Sequence, residues 1–278
     1  MAEVLRLDKI HPVISGNKWF KLKYYLENAL QKQSQAILTF GGPYSNHIIA
    51  AACAARETGL KSIGIIRGER PDALSHMLQA ALQYGMDLQF ISREDYRKKT
   101  ESSFLNQLSL QYPGATLIPE GGAGIDGIRG CEEILQLVDN SRYSHILCAM
   151  GTATLLLGLA NASRQQQEII GISALKGFDK RPADVPYLLA SEKIRNCRII
   201  GDYHFGGYAR KSPGLFKFMN ELHGLTGIPT DFVYTAKLFY GTLDMIKKGL
   251  FPRDSRLLLI HSGGLQGNCS LEPGILTF

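Results

Sequence analysis

The sequence lacks the patterns that mark disulfide-stabilised, zinc-ribbon and membrane-spanning proteins. Its five cysteines are an odd number and include no C-x-x-C pair, which argues against a disulfide framework and is typical of a reducing cytosol. No apolar run reaches the roughly 18 residues that a membrane helix needs, and the N-terminal MAEVLRLDK has no apolar signal-peptide core. We therefore expect a cytoplasmic protein that has no membrane partner.

Common metal and hydrolase motifs are missing as well. The seven histidines form no H-x-x-x-H pair and no HExxH motif, so we expect no metal. The absence of a G-x-S-x-G turn gives a Ser-His-Asp hydrolase little support. The net charge of +6 favours an anionic ligand. The basic residues are scattered and mixed with acids, as in RGER at 67–70, which argues against nucleic acid as a partner.

Strand-length apolar runs alternate with helical patterns along most of the 278 residues. The predicted strands are 36–40, 62–67, 87–92, 115–120, 145–150, 168–175, 197–203 and 256–262. Helical stretches between them include AACAARETG, which ends at Gly59, and SHMLQAALQYG, which ends at Gly85. This alternation predicts an α/β fold with parallel sheets, and the apolar strands indicate sheets that are covered on both faces.

Ligands of parallel sheets bind beyond the carboxyl ends of the strands, so the loops that follow strands are candidate site segments. One is GTATLLLG (151–158), in which Gly151 permits a tight turn and Thr152 and Thr154 add hydroxyl donors. Consecutive N–H groups at such a turn bind phosphate well. The loop matches neither a P-loop nor a dinucleotide fingerprint. It therefore suits a single terminal phosphate, although many ordinary strand-to-helix turns also carry glycine and threonine.

The second loop, GGPYSNH (41–47), brings a serine, an asparagine and a histidine to one strand end. Ser45 and Asn46 are candidates for ligand binding, but either residue would also serve as an ordinary helix N-cap. His47, taken alone, is more often a structural histidine than a ligand. HSGGLQG (261–267) is the third loop of this kind.

A lysine stands at the start of a predicted helix in SGNKWFKLK (15–23). The partial positive charge of a helix N-terminus disfavours the ammonium form of Lys18, so this lysine is either a solvated surface residue or one used as a neutral amine. Lys21, one turn on, and Lys23 are rival candidates. A neutral amine, a phosphate-binding turn and a basic chain together suit pyridoxal phosphate, which joins a lysine amine and withdraws electrons from its substrate.

SGNKWFKLK, followed by GGPYSNH, resembles the D-cysteine desulfhydrase and 1-aminocyclopropane-1-carboxylate (ACC) deaminase family. The similarity runs along nearly the whole chain and includes IPEGG, TDFVYTAK and IHSGG. Members are fold-type II pyridoxal-phosphate enzymes related to the tryptophan synthase β chain. The resemblance implies a homodimer of two-domain α/β subunits, here with a smaller domain at 24–120 and a larger one formed by 1–23 and 121–278.

The resemblance also implies a role for each matching residue. Lys18 would carry the cofactor and act as a base, and Asn46 would bind the ring hydroxyl. Ser45 would lie near the substrate carboxylate as a candidate nucleophile, with Tyr234 beside the substrate. The residues expected to bind the cofactor are Lys18, Asn46, Gly151, Thr152, Ala153, Thr154, Leu155, Thr235 and Ser262. Those expected to bind the substrate are Ser45, Asn46, His47, Tyr208 and Tyr234.

Two positions bear on which reaction the resemblance implies. ACC deaminases of the family carry V-Y-E-G-K, whose glutamate faces the pyridine nitrogen, where this chain has Thr235, and H-L-G-G where this chain has Ser262. Hydroxyl groups at both positions resemble the desulfhydrase pattern, which implies α,β-elimination from D-cysteine to pyruvate, ammonia and sulfide. ACC deamination is the alternative. A pyridoxal-phosphate-binding protein with little catalysis and a nucleotide- or nucleic-acid-binding α/β protein also stay open.

Overall fold

Two parallel β-sheets with flanking helices make up residues 1–177 and 196–278, the part of the chain that the computed structural model describes. The smaller sheet has the strand order β4-β3-β2-β5 and the larger has the order β1-β9-β6-β7-β8. The strands are β1 Ala2–Arg6, β2 Ala36–Gly41, β3 Lys61–Arg67, β4 Met86–Ile91, β5 Ala115–Ile118, β6 His145–Met150, β7 Glu168–Ser173, β8 Cys197–Ile200 and β9 Leu257–His261. The helices are α1 Asn17–Gln31, α2 Asn46–Glu57, α3 His76–Gln83, α4 Arg93–Arg97, α5 Ser102–Gln111, α6 Ile125–Glu132, α7 Thr154–Ala162, α8 Pro213–Thr226 and α9 Thr235–Lys247.

All eight strands predicted from the sequence are confirmed, and every strand pair described is parallel. The predicted helix ends are confirmed too, since Gly59 and Gly85 follow α2 and α3 with φ of 74° and 85°. The ninth strand, β1, was not predicted. Its short AEVLR segment is only partly buried, and it pairs along one side only, with β9 at the edge of the larger sheet.

The central strands of the larger sheet are buried on both faces, as their apolar sequences predict. In β6, Ile146 and Cys148 pack into one apolar core together with Leu156 of α7. Leu147 lies between them in sequence and packs on the opposite face, against Leu238 of α9. Because successive side chains of a strand point to opposite faces, helices on both sides are needed to cover this strand.

Helix α1 joins the apolar cores of the two sheets. Phe20 packs into the core of the larger sheet, whereas Leu22 and Leu26 pack into a core of the smaller one. The predicted domain boundary between residues 23 and 24 therefore falls inside α1. The assignment of 24–120 and of 1–23 with 121–278 to two domains stays a prediction.

Neither a membrane-spanning helix nor a disulfide is found among the described residues. No helix in 1–177 or 196–278 is both long enough and apolar enough to cross a membrane. The five cysteines are all free thiols, and Cys53, Cys131 and Cys148 are buried. Buried thiols of this kind pack as small apolar side chains.

Candidate active site

A cavity of about 270 Å³ lies where the loops after β2, β6 and β9 face the first turn of α1. The predicted site residues that line it are Lys18, Ser45, Asn46, His47, Gly151, Thr152, Ala153, Leu155, Tyr208, Tyr234 and Ser262. Thr154 and Thr235 do not line it. Lys21, Glu120 and Gln266 do, although the sequence did not assign them a role there.

Lys18 is the second residue of α1, and its amine lines the cavity. Its Nζ donates a hydrogen bond to Asn17 Oδ1 over 3.0 Å. Burial of the amine, followed by the positive charge of Lys21, lowers the pKa of Lys18 to about 7. A large share of this side chain is thus a neutral amine at neutral pH, the form that attacks a carbonyl carbon or takes a proton.

The turn that precedes Lys18 packs directly on the loop after β9. The backbone N–H of Asn17 donates to the carbonyl oxygen of Ser262 over 3.2 Å. At Gly16, where φ is +67°, a Cβ atom would lie 1.9 Å from that same oxygen. Only glycine allows this approach, so the turn holds the backbone at the start of α1, next to Lys18, close to Ser262.

Lys21, which the sequence offered only as a rival of Lys18, also lines the cavity. It is buried, and its Nζ donates to Thr152 Oγ1 over 3.3 Å. Thr152 Oγ1 also lies 2.9 Å from Thr154 Oγ1, and Ala153 has a left-handed φ of +58° at the N-cap of α7. The turn therefore presents backbone N–H groups, hydroxyls and an ammonium, which suits a phosphate. The three-residue spacing of Lys18 and Lys21 on one helix face was the available signal.

The loop after β2 presents two unpaired acceptors. Asn46 Oδ1 and His47 Nδ1 are buried atoms with no hydrogen-bond partner among the described residues. Thr39 Oγ1 donates to the carbonyl oxygen of Ile118, so it must accept from His47 Nε2 at 2.8 Å. This fixes His47 as the neutral Nε2–H tautomer, with Nδ1 able only to accept. Burial, then the charges of the two cavity lysines, holds the pKa of His47 well below its usual range.

Ser45 has the capping role that its sequence allowed and lines the cavity as well. Its Oγ accepts a hydrogen bond from the backbone N–H of His47 over 3.2 Å, at the start of α2. Capping uses an acceptor lone pair and leaves the hydroxyl proton available to a ligand.

Two tyrosines face each other across one wall of the cavity. The rings of Tyr208 and Tyr234 are 5.9 Å apart and nearly edge to face. Burial raises the pKa of both phenols, and it raises that of Tyr234 far above the ordinary range. Both hydroxyls therefore keep their protons at neutral pH, and each can donate a hydrogen bond.

Thr235 lies behind the cavity wall, where its hydroxyl donates to Asp231 Oδ1 over 2.7 Å. Asp231 is fully buried and also accepts the backbone N–H groups of Val233, Tyr234 and Thr235. Burial raises the pKa of Asp231. The structure thus places Thr235 at the first position of α9, where its hydroxyl bonds to Asp231, a residue that the sequence did not single out. Of the two hydroxyl residues predicted near a pyridine nitrogen, Ser262 is the one on the cavity.

One cluster of possible metal ligands lies outside the cavity lining. Atoms of His11, Cys53 and Glu57 lie within 4.8 Å of one another. His11 Nδ1 accepts the backbone N–H groups of Val13 and Ile14, so Nε2 carries the proton and faces Glu57 Oε1 at 3.1 Å. A metal at Nε2 would need the proton on Nδ1 instead, so these contacts form a hydrogen-bonded network.

Comparison with known families gives one extended match. The model of the pyridoxal-phosphate dependent enzyme family matches residues 3–263. The match spans both sheets and every residue that lines the cavity except Gly264 and Gln266.

Individual relatives and a solved structure agree with this match. A putative ACC deaminase of Pyrococcus abyssi is 30% identical over 274 residues, covering 91% of this chain and 81% of that protein. The bifunctional D-cysteine desulfhydrase/ACC deaminase of Arabidopsis thaliana is 28% identical over 280 residues, covering 91% and 70%. The crystal structure of an ACC deaminase homologue superposes with a TM-score of 0.80 at 25% identity, covering 96% and 85%. The predicted two-sheet α/β architecture of fold-type II enzymes is thereby confirmed.

Proposed function

Since this chain belongs to the pyridoxal-phosphate dependent enzymes, and among them to the D-cysteine desulfhydrase/ACC deaminase family, we propose that its substrate is a small amino acid, with D-cysteine as the first candidate. The reaction would convert D-cysteine and water into pyruvate, ammonia and hydrogen sulfide. ACC is the second candidate. Pyridoxal phosphate is the cofactor in either case.

The proposal rests on one observation, which is that four groups suited to binding parts of the cofactor lie at one cavity. Lys18 offers an amine whose pKa is lowered to about 7, and Asn46 Oδ1 is a buried acceptor without a partner in 1–177 and 196–278. Residues 151–155 with Lys21 form a cradle for a terminal phosphate. We propose that Lys18 carries the cofactor, Asn46 binds its ring hydroxyl, this cradle binds its phosphate and Ser262 faces its ring nitrogen.

The bound cofactor supplies an electron sink for the α-carbon of the substrate. Lys18 Nζ, as a neutral amine, takes the proton from that carbon. The Ser45 hydroxyl and the Asn46 amide bind the substrate carboxylate, and His47 Nδ1 accepts a hydrogen bond from a donor group of the substrate. Tyr234 keeps its hydroxyl proton and donates a hydrogen bond toward the leaving sulfur.

The chemistry of ACC and the residue at position 235 both favour D-cysteine over ACC. ACC has no α-proton for Lys18 to remove, and its deaminases in this family place a glutamate where this chain has Thr235. A glutamate at that position would bury a second carboxylate beside Asp231, which is costly. ACC stays a candidate because the relative at 30% identity is named a putative ACC deaminase.

A substrate comparison tests the proposal. Purified protein saturated with pyridoxal phosphate is mixed in parallel with D-cysteine, L-cysteine and ACC. We expect sulfide and pyruvate in equal amounts from D-cysteine, and little 2-oxobutanoate from ACC. A larger kcat/KM for ACC would select the second candidate. Turnover of none of the three would refute the proposed substrate class.

Subunit assembly and cell compartment are parts of the same proposal. A homodimer is expected from the family, and the free thiols suit a cytoplasmic enzyme. Light scattering of the purified protein with bound cofactor measures its mass against the 30.7 kDa of one chain.

The lowered pKa of Lys18 predicts how cofactor capture depends on pH. The folded-state pKa is about 7 instead of 10.5, so the amine is protonated below pH 7 and neutral above it. The rate at which the cofactor-free protein captures pyridoxal phosphate should therefore rise about tenfold per pH unit up to pH 7 and then level off. Stopped-flow absorbance measures that rate. A rise that continues to pH 10 would show an ordinary surface lysine.

A further inference from the structure

Lys237 is a fully buried lysine that does not line the cavity. Its Nζ donates to the carbonyl oxygen of Gly207 over 2.8 Å and to that of Ala174 over 3.3 Å. Asp231 is the acidic group whose charge acts on it. The ammonium thus joins α9 to the residue after β7 and to the loop that follows β8.

Burying an ammonium group in this space is energetically unfavourable. Burial lowers the pKa of Lys237 to about 8 although the charge of Asp231 opposes that change. Neither of these contacts is to a carboxylate, so among the described residues the desolvation of the charge is offset by two neutral acceptors and by the charge of Asp231. A methionine would fill a similar volume without that penalty. Packing alone therefore does not explain a lysine here.

The acceptor at 2.8 Å immediately precedes a cavity residue. Gly207 is followed by Tyr208, which lines the cavity and contacts Tyr234 edge to face. The loop around them is strained, because Phe205 and Ala209 have φ of +48° and +52°, values that non-glycine residues rarely adopt. Strained backbone of this kind persists only where other contacts hold it. The bond from Lys237 is such a contact.

Helix α9 relates Lys237 to both tyrosines. Tyr234 is the N-cap of this helix and Lys237 follows three residues later, which is the spacing of neighbours on one helix face. The first turn of α9 therefore holds Tyr234 through its own backbone and reaches Tyr208 through the Lys237–Gly207 bond. That bond therefore links the two segments that carry the tyrosines.

We propose that Lys237 is a positioning residue, which sets Tyr208 against Tyr234 by binding the carbonyl oxygen of Gly207. The proposal rests on the proposed function, in which both tyrosines face the substrate. It assigns Lys237 no contact with substrate or cofactor.

The first test observes Tyr208 directly, without any substrate. The full chain is labelled with 3-fluorotyrosine, and the fluorine resonance of Tyr208 is assigned by its loss in Tyr208→Phe. We expect Lys237→Met to move or broaden this resonance and that of Tyr234, and to leave those of distant tyrosines unchanged. Lys247→Met, at an exposed lysine at the end of the same helix, is the matched control and should change neither. An unmoved Tyr208 resonance in folded Lys237→Met would overturn the proposal.

Chemical rescue distinguishes positioning from bulk stability. Lys237→Ala leaves room for n-propylammonium, which restores the missing atoms and N–H donors. We expect this amine to restore the Tyr208 resonance, whereas tetramethylammonium at equal ionic strength should not, since it has no donor. Protein that fails to fold with or without the amine would make Lys237 a residue of the folding core and would overturn the positioning role.

Kinetic measurements provide a further test of the proposal. Lys237→Met should lower kcat/KM for D-cysteine by about 10²-fold, the effect expected of a misplaced group in the site. Combined with Tyr208→Phe, it should add little to the loss from Tyr208→Phe alone, because both variants remove one function. Multiplicative losses would overturn the proposal. If the unmodified protein turns over no substrate, the proposed function fails, and the fluorine resonances still decide the role of Lys237.

Discussion

Lys18→Ala is expected to remove the absorbance band of protein-bound pyridoxal phosphate and to abolish turnover. The lost proton transfer alone accounts for about 10²- to 10⁴-fold, and loss of the attachment point adds to it. The fold should survive, because the Nζ of Lys18 makes its hydrogen bond with the neighbouring Asn17 only, among the bonds described. The variant also removes the unfavourable burial of this amine and its charge interaction with Lys21. Absorbance spectra and thermal unfolding of the purified variant measure both outcomes.

Two other lysines of the same helix serve as comparisons for Lys18. Lys21→Ala should weaken cofactor affinity by removing a phosphate partner beside Thr152, yet it should keep the absorbance band at saturating cofactor. Lys23→Ala should change neither property, because Lys23 pairs with Glu133 away from the cavity. The lysine assignment would be wrong if Lys21→Ala lost the band while Lys18→Ala kept it.

Lys18 and Lys21 share one cavity, and both have a lower pKa than a lysine on the protein surface. Burial is the first cause of the lowered pKa of both side chains, and the charge of Lys21 lowers that of Lys18 further. A bound phosphate would neutralise the charge near Lys21. The same site therefore offers a neutral amine at one end and an anion-binding cradle at the other.

The sequence predicted the fold where local pattern and burial agree. Uniformly apolar strands such as HILCAM are buried on both faces, so their composition alone marks them. Strand β1 escaped prediction because AEVLR pairs on one side only and is partly exposed. Its pairing with β9 joins residues that are far apart in the sequence, such as Ala2 and Leu257. A local sequence pattern cannot indicate a contact between residues so widely separated.

The sequence predicted some residues of the site and missed others, for a physical reason. Residues in loops after strands, such as Asn46 and Thr152, were found because parallel strand ends mark them. Lys237 and Asp231 act through buried contacts with distant backbone or with their own helix start, and neither was given a role although both lie in the TDFVYTAK segment. Thr235 was placed near the cofactor by resemblance, whereas its hydroxyl is bonded to Asp231. Hydrogen-bond partners across loops depend on tertiary geometry that spacing does not encode.

Gly16→Ala is the second variant with a large expected effect. The added Cβ would lie 1.9 Å from the carbonyl oxygen of Ser262 and 2.6 Å from the backbone nitrogen of Gly263. Both atoms belong to backbone, so no side-chain rotation relieves the overlap. Either the turn before Lys18 or the loop after β9 must move. We expect a loss of about 3 kcal/mol or more in the free energy of unfolding, which corresponds to roughly 6–12 °C in Tm.

Gly59→Ala separates this overlap from backbone strain. Gly59 has φ of +74°, close to the +67° of Gly16, but no atom lies within 4 Å of the Cβ that would be added. Gly59→Ala should therefore lower the free energy of unfolding by only about 1 kcal/mol, because alanine is strained in the left-handed conformation. It should leave cofactor binding intact. Gly16→Ala should also weaken cofactor binding, because the turn it displaces leads directly into Lys18. Equal losses in the two variants would mean that the contact between the lysine turn and the Ser262 loop does not hold the amine in place.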